Sequence, residues 1–199
     1  MRRFIVATKN KAKLIEIKSV LRDFPLEVIS MEEVGLHEDI DECGETFEEN
    51  ALIKAEKIFE LSGQAVIADD SGLCVDYLNG APGIYSARFA GENGTTLERN
   101  NKLLGLLRDV PHEKRTARFV CAIAVVFSDT DKFIVTGTLE GYIATNFSGN
   151  NGFGYDPLFF VPEYNITMAE LTSPQKNKIS HRGKALVAMV EELKNRMYI

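Results

Sequence analysis

Apolar residues occur along the chain in short runs separated by amphipathic stretches, and this alternation predicts strands and helices in turn. The continuous run Phe4–Ala7 predicts a buried strand. Lys11 to about Asp23 predicts a helix, because apolar residues recur there at helical spacing. Leu26–Ser30 predicts a second short strand. A second helix is predicted from Thr46 to about Ser62, because Thr46 and Glu49 have the spacing of a capping box.

The rest of the chain continues the alternation and adds a long hairpin. The predicted elements are a buried strand that ends in two carboxylates (Ala65–Asp69), a helix (Thr95 to about Leu107), two hairpin strands (Thr116–Phe127 and Lys132–Leu139), a short strand (Leu158–Val161) and a final amphipathic helix (His181–Tyr198). Together these elements predict an α/β fold in which helices flank a mixed sheet. No linker divides the chain, so we expect a single domain over residues 1–199.

Composition and charge limit the classes of molecule that the protein can be expected to bind. The 199 residues are 45% hydrophobic and 26% charged, which is typical of a globular protein, and the formal net charge is −6. A surface of that sign does not attract nucleic acid, so an anionic ligand must be held by local cations, a helix N-terminus or a metal. The three cysteines are widely spaced, without a CxxC pair, and no apolar run is long enough for a membrane span. We expect a cytoplasmic protein with reduced thiols and with no membrane or nucleic-acid partner.

The first candidate site is the segment Thr8, Lys9, Asn10, Lys11, Ala12 and Lys13, which follows a strand and opens a helix. The free N–H groups of a helix N-terminus suit phosphate, and three lysines add positive charge. Basic residues at this end of a helix oppose its dipole, which mildly favours a bound anion over the alternative, a solvated basic turn.

Carboxylates mark the second and third candidates. Asp69 and Asp70 follow an apolar strand and precede Ser71; adjacent strand residues point to opposite faces, so one carboxylate can bind a cation while the other supports the loop. A solvated strand end with a turn at residues 71–72 is an equally good interpretation. Asp41 and Glu42 precede the Thr46 helix, where they offer a second metal ligand or stabilise the helix dipole.

Two later segments complete the set of candidates. The loop Gly152-Phe153-Gly154-Tyr155-Asp156-Pro157 offers close backbone approach and two aromatic stacking faces, or forms a tight turn with core aromatics. Lys176 and the run Ser180-His181-Arg182 place a helix cap and hydrogen-bond donors at the start of the last helix. Lys54, within the second predicted helix, is either a further cation for the site or a solvated residue.

Six segments in order along the chain resemble the inosine triphosphate pyrophosphatase family, also called XTP/dITP diphosphatases. The matching segments are Thr8-Lys9-Asn10-Lys11-Ala12-Lys13, Gly44-Glu45-Thr46-Phe47-Glu48-Glu49-Asn50-Ala51, Ala68-Asp69-Asp70-Ser71-Gly72-Leu73, Gly80-Ala81-Pro82-Gly83-Ile84-Tyr85-Ser86-Ala87-Arg88, Gly152-Phe153-Gly154-Tyr155-Asp156-Pro157 and Ile179-Ser180-His181-Arg182. Each is weak alone, but together they span almost the whole chain. The resemblance implies a mixed twisted sheet with two lobes around a central cleft, a homodimer, and Mg²⁺-dependent cleavage of purine nucleoside triphosphates (XTP, ITP, dITP) to the monophosphate and pyrophosphate.

The resemblance also assigns roles to residues. It implies that Asp70 is the catalytic carboxylate and a metal ligand, and that Asp41 or Glu42 supplies a second acidic ligand. It implies that the triphosphate contacts Thr8, Asn10, Lys13 and Ser71, and that Lys9, Lys11 and Ala12 fill the variable positions of the same binding segment. The residues it places around the nucleoside are Phe153, Gly154, Tyr155, Asp156, Lys176, His181 and Arg182. A guanidinium only donates hydrogen bonds, so Arg182 suits the 6-keto oxygen of hypoxanthine or xanthine and not the 6-amino group of adenine.

Two other functions fit part of the sequence. One is a pyrophosphatase for modified pyrimidine or other damaged nucleotides, although the Ser180-His181-Arg182 run favours purines. The other is a nucleotide-binding regulator without turnover. Such a regulator would keep the lysines and a base pocket but would not need both Asp69 and Asp70.

Overall fold

The computed structural model describes residues 2–199, which form seven strands and five α-helices joined by short 3₁₀ turns. The strands are β1 (Arg2–Val6), β2 (Leu26–Ser30), β3 (Val66–Val75), β4 (Thr116–Val126), β5 (Lys132–Ile143), β6 (Phe159–Val161) and β7 (Ile166–Thr167). The helices are α1 (Lys11–Leu21), α2 (Phe47–Ser62), α3 (Thr96–Leu106), α4 (Ser173–Ile179) and α5 (His181–Asn195). No helix among these residues is long and apolar enough to cross a membrane.

The strands hydrogen-bond in the order β2-β1-β3-β4-β5-β6-β7. β1 pairs in parallel with β2 and with β3, whereas β6 pairs antiparallel with both β5 and β7. The sheet is therefore mixed, and the predicted α/β class is confirmed.

Capping residues in the sequence explain where the helices begin. The Thr46 side chain accepts a hydrogen bond from the Glu49 N–H at the start of α2, as its spacing predicts. The Thr95 side chain forms a complete capping box with Glu98 at the start of α3. α2 ends where Gly63 adopts φ +63° and its N–H bonds the Phe59 carbonyl, a conformation that glycine adopts without strain.

The chain divides into two compact units, each with its own apolar core. The first unit comprises Met1–Asp70, Cys121–Gly137 and His181–Ile199, and the second comprises Ser71–Val120 and Thr138–Ser180. Residues such as Phe4, Ile17 and Leu186 form the first core. The second core contains residues such as Leu73, Leu103 and Phe159. The prediction of one domain with two lobes around a cleft stays a prediction.

Two strands run further than predicted. β3 does not end at its carboxylates but continues to Val75, so Asp69 and Asp70 lie inside the strand. Buried Leu73 and Val75 extend its apolar face and outweigh the local turn preference of residues 71–72. β5 continues through Gly141, where a side chain would collide with the Phe159 ring on the paired strand β6. The short elements α4 and β7 were not predicted.

Candidate active site

The segment that opens α1 is organised by Asn10. Its Oδ1 accepts hydrogen bonds from the N–H groups of Ala12, at 3.0 Å, and Lys13, at 3.2 Å. The Thr8 hydroxyl oxygen accepts a third bond, from the Asn10 N–H. The Asn10 cap thus occupies two of the N–H groups at this helix start, and phosphate binding by the segment stays a prediction.

The three lysines of this segment have different surroundings. Lys9 forms a surface ion pair with Asp39, and Lys11 is exposed. Lys13 instead turns inward, and its Nζ lies 2.9 Å from Oδ2 of Asp69. Of the three, only Lys13 belongs to the buried charge cluster on β3.

Asp69 is the centre of that cluster, with a side chain that is 0% exposed. Its Oδ2 accepts hydrogen bonds from Nη2 of Arg182, at 3.1 Å, and from Nε of Arg182, at 3.3 Å. Arg182 also pairs with Glu16 on α1. Burial by itself raises the pKa of Asp69, but the charges of Lys13 and Arg182 outweigh it and hold that pKa well below its ordinary value. Asp69 is thus a buried group that is ionised at neutral pH.

Asp70 points to the opposite side of β3, as the strand period of two requires, and meets a different cation. Lys54 of α2 lies 3.1 Å from Oδ1 of Asp70 and 2.7 Å from Oε1 of Glu42. Burial raises the pKa of Asp70, and the charge of Lys54 only partly offsets this. Lys54 is itself buried, so it is not a solvated helix residue.

The second oxygen of Asp70 has no such partner. Oδ2 is buried and forms no hydrogen bond with any group in residues 2–199. A buried carboxylate oxygen without a donor is costly in free energy unless a ligand satisfies it. Mg²⁺ binds through one or two carboxylates together with substrate phosphates. Asp70 and Glu42 provide such a pair, and no group of three or more metal-binding side chains exists within residues 2–199.

Two residues of α2 bind the acidic loop that precedes this helix, residues 41–45. Lys54 binds Glu42, and one helical turn earlier Oδ1 of buried Asn50 accepts a hydrogen bond from the Gly44 N–H at 2.8 Å. A side chain on Gly44 would approach Oδ1 of Asn50 to 2.8 Å, so glycine is required at this close contact. Asp41 is exposed, whereas Glu42 reaches the buried lysine.

In the second unit, Asp156 and Lys176 form a buried ion pair with an Oδ2–Nζ distance of 2.7 Å. Oδ2 of Asp156 also accepts the Phe153 N–H at 2.8 Å. Nζ of Lys176 lies 4.5 Å from the centre of the Phe153 ring, a cation–π distance. These contacts bring together three of the predicted nucleoside-binding residues.

Tyr155 differs from the expectation that it offers a stacking face. The residue is 5% exposed, its ring packs in the core of the second unit, and its hydroxyl donates to the Ser86 carbonyl at 2.9 Å. Burial raises the pKa of Tyr155 to about 12. The tight turn with a core aromatic is therefore correct for Tyr155, while Phe153 remains half-buried.

The remaining predicted residues are distributed over both units. His181 and Arg182 open α5 and are buried, and Ser71 is a half-buried residue of β3. Gly154 has φ +63° within its loop. Sequence reasoning missed Glu16; the available signal was its position three residues after Lys13, on the same face of α1.

The structure is thus that of a mixed-sheet α/β protein in which two adjacent strand carboxylates, Asp69 and Asp70, pair with different buried cations, Arg182 and Lys54. Comparison with known proteins identifies the family: the Ham1 family profile matches residues 4–192, and the chain belongs to the Ham1 family. The chain is 50% identical to the dITP/XTP pyrophosphatase of Clostridium perfringens, with 98% of each chain covered. It is 52% identical to the dITP/XTP pyrophosphatase of Caldanaerobacter subterraneus subsp. tengcongensis, with 99% of this chain and 98% of the relative covered.

Solved structures agree with the sequence relatives. The HAM1 protein of Coxiella burnetii matches with a TM-score of 0.89 and 43% identity, covering 98% of this chain and 100% of that one. The Staphylococcus aureus Ham1 protein matches with a TM-score of 0.88 and 42% identity over the same shares. The family resemblance stated from the sequence is confirmed.

Proposed function

We propose that this Ham1-family protein is a nucleoside triphosphate pyrophosphatase that hydrolyses dITP, XTP and ITP to the monophosphate and pyrophosphate, and so removes non-canonical purines from the nucleotide pool. The observation that carries this proposal is the Glu42–Lys54–Asp70 cluster, with its buried and unbonded Asp70 oxygen. The names of relatives at about half identity support the same activity. A regulator without turnover would not require this costly carboxylate.

Asp70 and Glu42 would hold Mg²⁺, and the exposed position of Asp41 makes Glu42 the better second ligand. A bound Mg²⁺ would neutralise phosphate charge and lower the pKa of a coordinated water. Lys54 donates a hydrogen bond to Oδ1 of Asp70 and so fixes the orientation of the carboxylate. The other oxygen, Oδ2, would then be available to bind the metal. The raised pKa of Asp70 suits it to orient a water molecule and accept its proton.

Further residues are proposed to bind the substrate. Lys13, which pairs with Asp69, would donate to the β- and γ-phosphates, and Arg182 would donate to the 6-keto oxygen from the orientation that Asp69 and Glu16 impose. The other proposed triphosphate contacts are Thr8, Lys9, Asn10, Lys11, Ala12 and Ser71. The other proposed nucleoside contacts are Phe153, Gly154, Tyr155, Asp156, Lys176 and His181.

Two accompanying expectations concern the cell and the assembly. We propose a cytoplasmic location, which three free cysteines favour, since secreted proteins commonly pair such residues. We also propose a homodimer, as the family resemblance implies.

Release of pyrophosphate from dITP, measured with and without Mg²⁺, tests the proposed function. We expect release that requires the metal and yields the monophosphate. ATP and a modified pyrimidine triphosphate serve as comparison substrates at equal concentration. Preference for the pyrimidine would favour the alternative enzyme class, and binding of dITP without release under any metal condition would favour a regulator.

Replacing Lys13 by alanine is expected to weaken ITP binding more than IMP binding, because Lys13 would contact the phosphates that IMP lacks. A lost hydrogen bond to a charged group costs about 1.5–3 kcal/mol. Calorimetry with Ca²⁺ in place of Mg²⁺ measures both affinities without turnover. Lys18→Ala is the matched control, because it removes a half-buried lysine of the same helix that pairs with Glu33. Equal losses for ITP and IMP would place Lys13 away from the β- and γ-phosphates.

A further inference from the structure

Asn100 of α3 holds the loop that carries the proposed nucleoside contacts, although it belongs to none of the segments described as candidate sites. It is 2% exposed, and its Nδ2 donates to the Thr96 carbonyl at 3.0 Å and to the Gly154 carbonyl at 2.9 Å. Both partners are carbonyl oxygens, so the amide must present its NH₂ group to them, and both of its hydrogens are used. Its orientation is therefore determined by its surroundings.

The hydrogen bond to Gly154 sets the direction of a second group. The C=O of Gly154 and the N–H of Tyr155 belong to one planar trans peptide, so they point in opposite directions. Since the carbonyl faces Asn100, the Tyr155 N–H faces away from it. That N–H forms no hydrogen bond with any acceptor in the described chain, residues 2–199.

Neighbouring contacts hold this peptide in place. The Tyr155 hydroxyl is bonded to the Ser86 carbonyl, and the Phe153 N–H is bonded to Asp156. These contacts fix the residues on both sides of Gly154. Gly154 itself, at φ +63°, has no side chain to restrict its backbone, so its peptide bond to Tyr155 can rotate between two orientations. The Asn100 hydrogen bond is the contact that selects one orientation of this peptide over its reverse.

We propose that Asn100 is a specificity-determining positioning residue: it fixes the Gly154–Tyr155 peptide so that the Tyr155 N–H donates to a keto oxygen of the purine. This inference rests on the proposed function. In the reversed peptide the Gly154 carbonyl would face the ligand and would instead accept from the 6-amino group of adenine.

Asn100→Asp tests the proposal, because it keeps the shape of the side chain and removes the donor. The Gly154 carbonyl then faces another acceptor, which favours rotation of the peptide. We expect kcat/KM for ITP to fall and kcat/KM for ATP to stay constant or rise, so that the ITP-to-ATP preference shrinks about tenfold or more. Asn101→Asp is the matched control: it makes the same change one residue along α3, at an exposed position, and should leave the preference unchanged. Asn100→Leu removes the donor without adding charge and should shift the preference in the same direction.

Equal losses for both substrates in Asn100→Asp and Asn100→Leu would assign Asn100 to the fold alone and overturn the proposal. A measurement on the unaltered protein is independent of variant folding: in ¹⁵N-labelled protein, the Tyr155 amide resonance should shift downfield with IMP and not with AMP. An unchanged resonance with IMP bound would also overturn it. If the parent protein does not hydrolyse ITP, the proposed function fails; if it does and the preference is unchanged, only the role of Asn100 fails.

Discussion

Asp70→Asn should lose most turnover of dITP while the protein remains folded. The substitution keeps the shape of the side chain and a hydrogen bond to Lys54, but it removes the charge that would bind the metal and accept a proton from water. Loss of a positioned acid or base group costs about 10²–10⁴-fold in rate. Steady-state pyrophosphate release measures the loss, and Asp129→Asn, at an exposed turn residue, is the matched control.

The same variant should be as stable as the parent or more stable when both are melted in the presence of a chelator. The raised pKa of Asp70 means that folding disfavours its ionised form, so a neutral amide removes a cost that is present at neutral pH. The gain should disappear as pH falls below about 3.8, the ordinary value, where the parent carboxyl is protonated in both states. Near-parental turnover in this folded variant would contradict a catalytic role for Asp70.

Arg182→Ala should destabilise the fold strongly. It removes one of two cations from Asp69, whose side chain is 0% exposed, and it leaves Glu16 without its partner on α5. Breaking a buried ion pair costs roughly 3–5 kcal/mol, and we expect about 3 because Lys13 still neutralises Asp69. For a chain of this size that corresponds to a fall in melting temperature of roughly 6–12 °C. Thermal melting measures it, and Arg196→Ala is the control, because it removes an arginine whose ion pairs lie at the surface and that otherwise contacts the Phe133 ring.

Acid unfolding provides a second measure of this ion pair. The lowered pKa of Asp69 contributes stability above its ordinary value of 3.8, and this contribution is lost as pH falls through the lower folded value. Without Arg182 the folded pKa of Asp69 should rise, so the variant should unfold at a higher pH than the parent. Coincident acid unfolding curves would show that Lys13 alone sets the charge state of Asp69.

Arg182→Lys separates base recognition from stability. The ammonium restores one buried positive charge near Asp69 but lacks the planar fork that bonds both Asp69 and Glu16. We expect part of the stability to return, while the ITP-to-ATP ratio of kcat/KM stays about tenfold or more below that of the parent. Equal slowing on both substrates would assign Arg182 to the fold or the phosphates.

Local signals in the sequence predicted most of the helices and much of the sheet. Capping residues and helical spacing located α1, α2 and α3, and alternation located the β4–β5 hairpin. The errors lie where distant contacts override local preference. β3 passes through Ser71 because paired strands and the cores hold it, and α4 was missed because seven residues contain few periodic positions. Its signals, a Thr172–Gln175 capping box and Pro174, were present.

The candidate site shows the same division between local and distant information. Motif spacing identified Asp70 and the lysines, but it did not show which lysine meets which carboxylate. Arg182 binds Asp69 from 113 residues away, and Asn100 binds Gly154 from 54 residues away. Such pairs depend on the path of the backbone, which single-residue patterns do not contain. Burial of Lys54 likewise depends on how α2 packs in the fold. The amphipathic pattern of a helix does not show that a lysine on its buried face is paired with carboxylates.

The parallel pairing of β3 with β1, which matches Val66 to Ile5 and Ile67 to Val6, has a consequence for the two carboxylates. Asp69 and Asp70 are chemically identical, so only strand register decides which one meets Lys13 and Arg182 and which one meets Lys54 at the proposed metal site. One residue inserted after Ile67 would move Asp69 into the place beside Lys54 and remove the carboxylate opposite Lys13 and Arg182. The hydrogen-bond register between β1 and β3 thus determines which of two identical side chains meets which cations.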